Sequence, residues 1–212
     1  MKEMLDVFDS KMNKIGVEER EKVHKKGLWH QTIHCWIIKK VGGKKYIVVQ
    51  KRDKKKKVAP NYLDITAAGH LHAGETPVDG IREIEEELGI IVEPKNFISL
   101  GIRISASDSK TKINKEFCHV YFLENDLPLN KYKMQKEEVS GLVEIEINDG
   151  LNLFTGDVDS VKCNSIFFEN DELVEKVVEV RVEDFIPRIE AYYLKVFIMA
   201  ERYFEGKKAL AI

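Results

Sequence analysis

Short stretches that alternate apolar and polar positions, or that run together as β-branched residues, recur along the chain. They lie at Met4–Phe8, Ile33–Ile38, Tyr46–Gln50 and Val120–Leu123, and again at Leu142–Ile147 and Val177–Val182. Stretches of this length and composition predict strands. Gly42-Gly43, inside Val41–Lys45, separates two of them and predicts a hairpin turn. The period changes at Pro77. At about 100° per residue, Val78, Ile81, Ile84 and Leu88 fall in one sector, which predicts a helix from Pro77 to Leu88. Thr76 can cap it, Pro77 suits its first position, Asp79 stands where a capping-box acid would, and Gly89 can terminate it. A second helix is predicted from Asp184 to Glu205, where Phe185, Ile189, Tyr192, Val196, Met199 and Tyr203 recur at three- and four-residue steps. Its middle, YYLKVFIMA, is apolar nearly all round, so it must be covered either by the domain or by a second subunit in a homodimer.

With 212 residues the chain suits one domain over 1–212: an N-terminal strand and arm to about residue 28, a core over 29–150, and a hairpin and helix over 151–212. The pattern is mixed α/β. No window approaches the ~18 apolar residues of a membrane helix, and MKEMLDVFDSK lacks the apolar centre of a secretory signal, so a cytoplasmic, membrane-free protein is expected. Cys35, Cys118 and Cys163 are odd in number and set in apolar surroundings, which suits reduced thiols. A net charge of -2 gives no broad attraction for nucleic acid. The one charge run, KRDKKKK at Lys51 to Lys57, reads as the solvated cap of a hairpin, with Arg52, nearest the strand end, as the contact for an anionic substrate.

The predicted first helix carries the chemistry. Glu83, Glu86 and Glu87 fall opposite its apolar sector, so Glu83 shares a face with both its i+3 and i+4 neighbours. Such carboxylates repel one another unless a cation offsets them, and that arrangement suits a hard divalent ion such as Mg2+, which takes oxygen ligands. Directly before the helix, AAGHLHAGE places Gly69 and Gly74 in a loop whose backbone can approach a metal or phosphate closely.

These residues resemble the Nudix box, written G-x5-E-x7-R-E-U-x-E-E-x-G-U with U aliphatic. Gly69, Glu75, Arg82-Glu83-Ile84, Glu86-Glu87 and Gly89-Ile90 supply every fixed residue type. The spacing departs at one place: six residues, Thr76 to Ile81, separate Glu75 from Arg82 where the box has seven. The resemblance implies an α/β/α sandwich with a mixed sheet and, beyond it, a C-terminal helical extension. It implies Glu83, Glu86 and Glu87 as ligands of Mg2+ or Mn2+, the Gly69 carbonyl as a further one, and Arg82 and Glu75 as orienting residues. The reaction implied is attack of a metal-activated water on a diphosphate. The general base stays open among the helix glutamates and Glu116.

Outside the box the first 150 or so residues are similar to type I isopentenyl diphosphate isomerase, which shares the Nudix fold. LDVFD, EREKVHKKGLWHQTIHCWII, AAGHLHAGE and NKEFC carry that likeness. It implies a second metal site at His24, His30, His70 and Glu116, with Asn114 in place of an acid. The isomerase's catalytic cysteine, one residue before the Gly-His pair, is Ala68 here, whose methyl can neither give nor take a proton. His30 and His34 also suit satisfied core histidines, and Trp29, Trp36 and Phe117 suit core aromatics.

The expectation is therefore a metal-dependent hydrolase of a small-molecule diphosphate, with nucleoside diphosphate derivatives and isoprenoid diphosphates as substrate classes. The alternatives are an isopentenyl-diphosphate isomerase and a non-catalytic Nudix-fold sensor. A sensor would be expected to have lost acidic ligands, and this chain keeps them.

Overall fold

A computed structural model of the chain describes residues 2–108 and 113–212. In chain order the elements are β1 (Met4–Phe8), β2 (Lys14–Glu19), α1 (Arg20–Lys26), β3 (Trp29–Val41), β4 (Lys44–Arg52), β5 (Leu63–Asp64), β6 (Ala67–His70) and α2 (Ile81–Leu88). They continue with β7 (Phe97–Asp108), β8 (Ile113–Glu124), β9 (Val139–Glu146), α3 (Ile147–Thr155), β10 (Val161–Glu169), β11 (Glu172–Val180) and α4 (Tyr192–Phe204). The main path of the sheet runs β11-β10-β9-β4-β3-β1-β2. β3 and β8 pair in parallel, while the other named strand pairs are antiparallel, so the sheet is mixed.

β3 is the centre of this arrangement. One edge is shared between β6, which pairs with Thr32 to Cys35, and β4, which pairs with Ile37 to Val41. The other edge pairs with β8 from Trp29 to Ile38. Side chains alternate across a strand. Trp36 and Ile38 accordingly join Ile47, Val49, Val120 and Phe122 in the core under α3 and α4, while Cys35 and Ile37 join Val48, Ile84 and Leu88 in the core under α2. A sheet with helices on both faces is the α/β/α sandwich expected.

Two helix starts differ from the sequence pattern. α2 begins at Ile81 rather than Pro77, because residues 77–80 are wound more tightly. The N–H groups of Asp79, Ile81, Arg82 and Glu83 each donate three residues back, to Thr76, Val78, Asp79 and Gly80. The capping pair serves this turn instead: the Asp79 carboxylate accepts from both the backbone N–H and the hydroxyl of Thr76, each at 2.7 Å. α4 begins at Tyr192 rather than Asp184. Pro187 cannot donate and pushes Ile186 towards extended geometry; Phe185 bridges Leu63 as a strand would, and Ile189, placed on the apolar stripe by periodicity, is 98% exposed. β9 stops at Glu146, so Ile147 opens α3, and Val182 follows β11 in a short 3-10 turn. Gly69, expected in a loop, lies on β6, because Ala67 to His70 pair with β3, and α1, β2, β5, β7, α3 and β10 carry no pattern strong enough to have announced them.

The apolar middle of α4 packs into the molecule's own core: Tyr192, Tyr193, Val196, Phe197 and Ala200 are buried. Among the described residues no helix is long and apolar enough to cross a membrane. All three cysteines are buried and free.

Candidate active site

α2 lies close to the sheet because Gly80 precedes it; a Cβ there would come within 2.9 Å of the Ile33 side chain. Ile84 and Leu88 then anchor the helix in the core, and the adjacent turn faces β6. The three helix glutamates do not share one environment. Glu86 stays 59% exposed at its side chain, Glu83 is largely covered, and Glu87 is buried. Gly69 on β6 leaves the room that Glu83 fills: a Cβ at Gly69 would lie 2.0 Å from the Glu83 carboxyl carbon. Burial first, then the Glu83 charge, pushes the Glu87 carboxyl up to about 8, against the pull of Lys56, Arg52 and an Ala68 backbone N–H. Burial also raises Glu83, opposed by Arg82.

Arg82 binds the loop before the helix to the helix itself. Its Nε and Nη2 donate to the two oxygens of Glu75, at 2.8 and 3.1 Å, and Nη2 also donates to the His70 carbonyl at 2.8 Å. Nη1 donates to Glu83. Glu75 accepts in addition from the His72 backbone N–H at 2.7 Å. The box that is one residue short therefore still delivers a two-pronged Arg82–Glu75 pair, with the tight turn at 77–80 taking up the missing residue.

The opposite wall carries the histidines. His24 comes from α1, His30 from β3 and His70 from β6, with ring centroids 5.0 to 5.2 Å apart and ligand atoms within 4.8 Å of one another. His24 Nδ1 meets the Arg20 carbonyl at 2.8 Å and His30 Nδ1 meets the Leu28 carbonyl at 3.0 Å. A carbonyl only accepts, so both rings carry the proton on Nδ1 and present the Nε2 lone pair. His30 Nε2 is buried without a hydrogen bond, 3.7 Å from Glu116 Oε1. Burial lowers the His30 pKa, against the Glu116 charge, and favours the neutral ring that a metal needs.

His24, His70 and Glu116 line the same cleft of about 940 Å³ as Glu83, Glu86 and Glu87, with His30 buried behind them. The loop after β4 overhangs it. Lys56 enters the cleft wall and pairs with Glu138, the exposed Lys57 lines the cleft beside it, and Lys54 and Lys55 face outward as exposed residues. Arg52 also lines the cleft, but the loop holds it: Nε and Nη2 donate to the carbonyls of Ala59 and Val58 at 3.1 and 2.9 Å, and Nη1 lies 3.8 Å from Asp64.

Comparison with known proteins decides the family. The model for the NUDIX domain matches residues 28–159. This chain belongs to the Nudix hydrolase family. An uncharacterised Nudix hydrolase of Clostridium acetobutylicum is 38% identical over 192 residues, 90% of this chain and 93% of that one. The isopentenyl-diphosphate delta-isomerase of Aliivibrio fischeri is 28% identical over 144 residues, 67% of this chain and 79% of that one. A crystal structure of a Deinococcus radiodurans protein matches in fold, with a TM-score of 0.53 at 20% identity over 73% of this chain and 90% of that one. The chain is thus an enzyme of the Nudix pyrophosphohydrolase class, with sequence likeness to the isomerase branch of the same fold.

The Nudix cleft has lining residues that no local pattern singles out, among them Arg20, His72, Glu138 and Arg188. Arg20 and His72 lie in stretches without a periodic signal. Arg188 stands beyond the residues the family model matches, between Pro187 and α4, in a segment whose apolar period points to helix.

Proposed function

We propose that this Nudix hydrolase cuts a diphosphate linkage in a small molecule with a divalent ion, Mg2+ or Mn2+, held by Glu83, Glu86, Glu87 and the Gly69 carbonyl. The observation that supports it most is that the largely covered Glu83 and the buried Glu87 face one cleft beside a glycine whose missing Cβ leaves the room that Glu83 fills. Arg82 satisfies one oxygen of Glu83, while burial leaves the Glu87 charge costly unless a further cation is present. Bound there, a divalent ion would offset diphosphate charge and acidify a water. Arg82 and Glu75 fix the loop and helix relative to each other, and Lys56 and Arg52 place positive charge on the cleft wall where an anion is expected.

A second site is part of the same proposal. The lone pairs of His24 and His30, with His70 and Glu116, suit a transition ion such as zinc, manganese or iron. This cluster favours the isomerase as the second reading, but Ala68 offers no acid or base at the hydrocarbon end of a ligand.

The test pairs two variants with two substrates. Glu83→Gln and Glu87→Gln should each lower magnesium-dependent phosphate release across a diphosphate panel by two or more orders of magnitude, with the fold retained by circular dichroism. Near-normal turnover in both variants would remove the site from the reaction. Isopentenyl diphosphate in deuterated water should show no carbon-bound deuterium; deuterated dimethylallyl diphosphate, with every panel compound left whole, would establish the second reading.

A further inference from the structure

Tyr192, at the start of α4, holds two hydrogen-bond donors of the cleft in place. Its hydroxyl oxygen accepts from Trp36 Nε1 at 3.1 Å, since an indole can only donate. Its own proton is then directed to His34 Nδ1, 2.9 Å away. That bond makes Nδ1 the acceptor and puts the ring proton on His34 Nε2, which has no hydrogen-bond partner among the described residues. The Arg188 guanidinium lies over the faces of Tyr192 and Tyr193, 5.3 Å from each centroid. Arg188 Nε donates to the Tyr193 hydroxyl at 3.1 Å and Nη2 to Asp64 at 2.8 Å, while Nη1 has no hydrogen-bond partner among the described residues. His34 and Arg188 both line the cleft that Glu83 and Glu87 line. Asp64 stands between two guanidiniums, Arg188 at 2.8 Å and Arg52 at 3.8 Å, and the Glu116 carboxylate lies near His34.

We propose that His34 Nε2 and Arg188 Nη1 form a subsite for a second anionic group, a phosphate or carboxylate carried by the substrate away from its diphosphate. The inference rests on the proposed hydrolysis for the position of the diphosphate, and it narrows the substrate to diphosphates with a further anion. An arginine whose planar face is covered by two rings and whose other nitrogens are engaged is preorganised, so little side-chain entropy is lost when its free edge takes an oxygen. The neutral imidazole adds a donor without adding charge. Such a subsite discriminates because a ligand lacking the anion leaves both donors unpaired in a largely buried place.

Binding distinguishes this proposal from the hydrolysis on which it rests. Matched pairs that differ by one phosphomonoester, coenzyme A with dephospho-coenzyme A and NADP with NAD, are titrated into the protein by calorimetry without magnesium. The member with the extra phosphate should bind at least tenfold more tightly in one or both pairs, as charge-assisted hydrogen bonds allow. Arg188→Met should remove that ratio and Arg188→Lys should reduce it, with melting temperature recorded as a control on folding. Equal binding of both members by the unaltered protein would overturn the subsite whether or not either is hydrolysed. A tenfold ratio kept in a folded Arg188→Met protein would equally overturn it. Hydrolysis failing for every compound while the ratio holds would count against the proposed reaction alone.

Discussion

At Gly69 a single methyl would stand 2.0 Å from the Glu83 carboxyl carbon. Gly69→Ala must therefore displace a proposed ligand, although the backbone there needs no unusual conformation. Misplacement of about 1 Å in a catalytic group can cost roughly 10²-fold. Gly69→Ala should accordingly lower kcat at least tenfold while the melting temperature moves by only a few degrees, measured by phosphate release and calorimetry. A variant with unchanged kcat would show that Glu83 can move without consequence. His34 gives a pH prediction. Burial first, then the charges of Arg188 and Arg103, hold its pKa well below the usual 6.5, with the Glu116 carboxylate as the nearby acid. In the unfolded chain the ring titrates normally, so below that pH the unfolded state takes a proton the folded state refuses. The stabilisation is complete above 6.5 and is lost as pH falls, by about 1.4 kcal/mol per pH unit for one proton. Urea unfolding between pH 7.5 and 5.5 should show this slope, shallower in His34→Gln by up to that amount. At this scale the Nudix box was legible because its residues are local and fixed in spacing. Tyr192 and Arg188 were not, since the first reads as an ordinary apolar helix position and the second as one charge among many.

Among the elements, the contact of α3 with α4 depends on Gly150, where a Cβ would lie 2.1 Å from Phe197 Cε1. Two effects oppose each other in Gly150→Ala. Alanine favours a helix over glycine by about 1 kcal/mol, whereas overpacking a buried ring costs about 1–3 kcal/mol. Phe197 is wholly buried and cannot swing away, so the clash wins. Gly150→Ala should lose up to about 2 kcal/mol in urea unfolding; a stabilised variant would mean that the two helices separate freely. The late start of α4 was readable from Pro187, against which the apolar period of Phe185 and Ile189 misleads. The early turn before α2 was not, because a capping pair looks the same whether it begins an α-helix or a single tight turn.

In the whole molecule, alternation along β3 separates the two layers. Ile33, Cys35 and Ile37 look towards α2, while His34, Trp36 and Ile38 look towards α4. Sequence showed that strand and its apolar character. It did not show that β8 joins it in parallel, because pairing partners so distant leave no local mark. That pairing has a consequence for a chain emerging from a ribosome. β6, α2 and the carboxylates of the Nudix box are all synthesised before Ile113–Glu124, the segment that must close the far edge of β3. At about 5–20 residues per second, an apolar strand waits several seconds with that edge bare. Nascent chains stalled within that interval expose a template for pairing with their neighbours, which makes the stretch between β3 and β8 a part of synthesis during which a chaperone has a bare edge to protect.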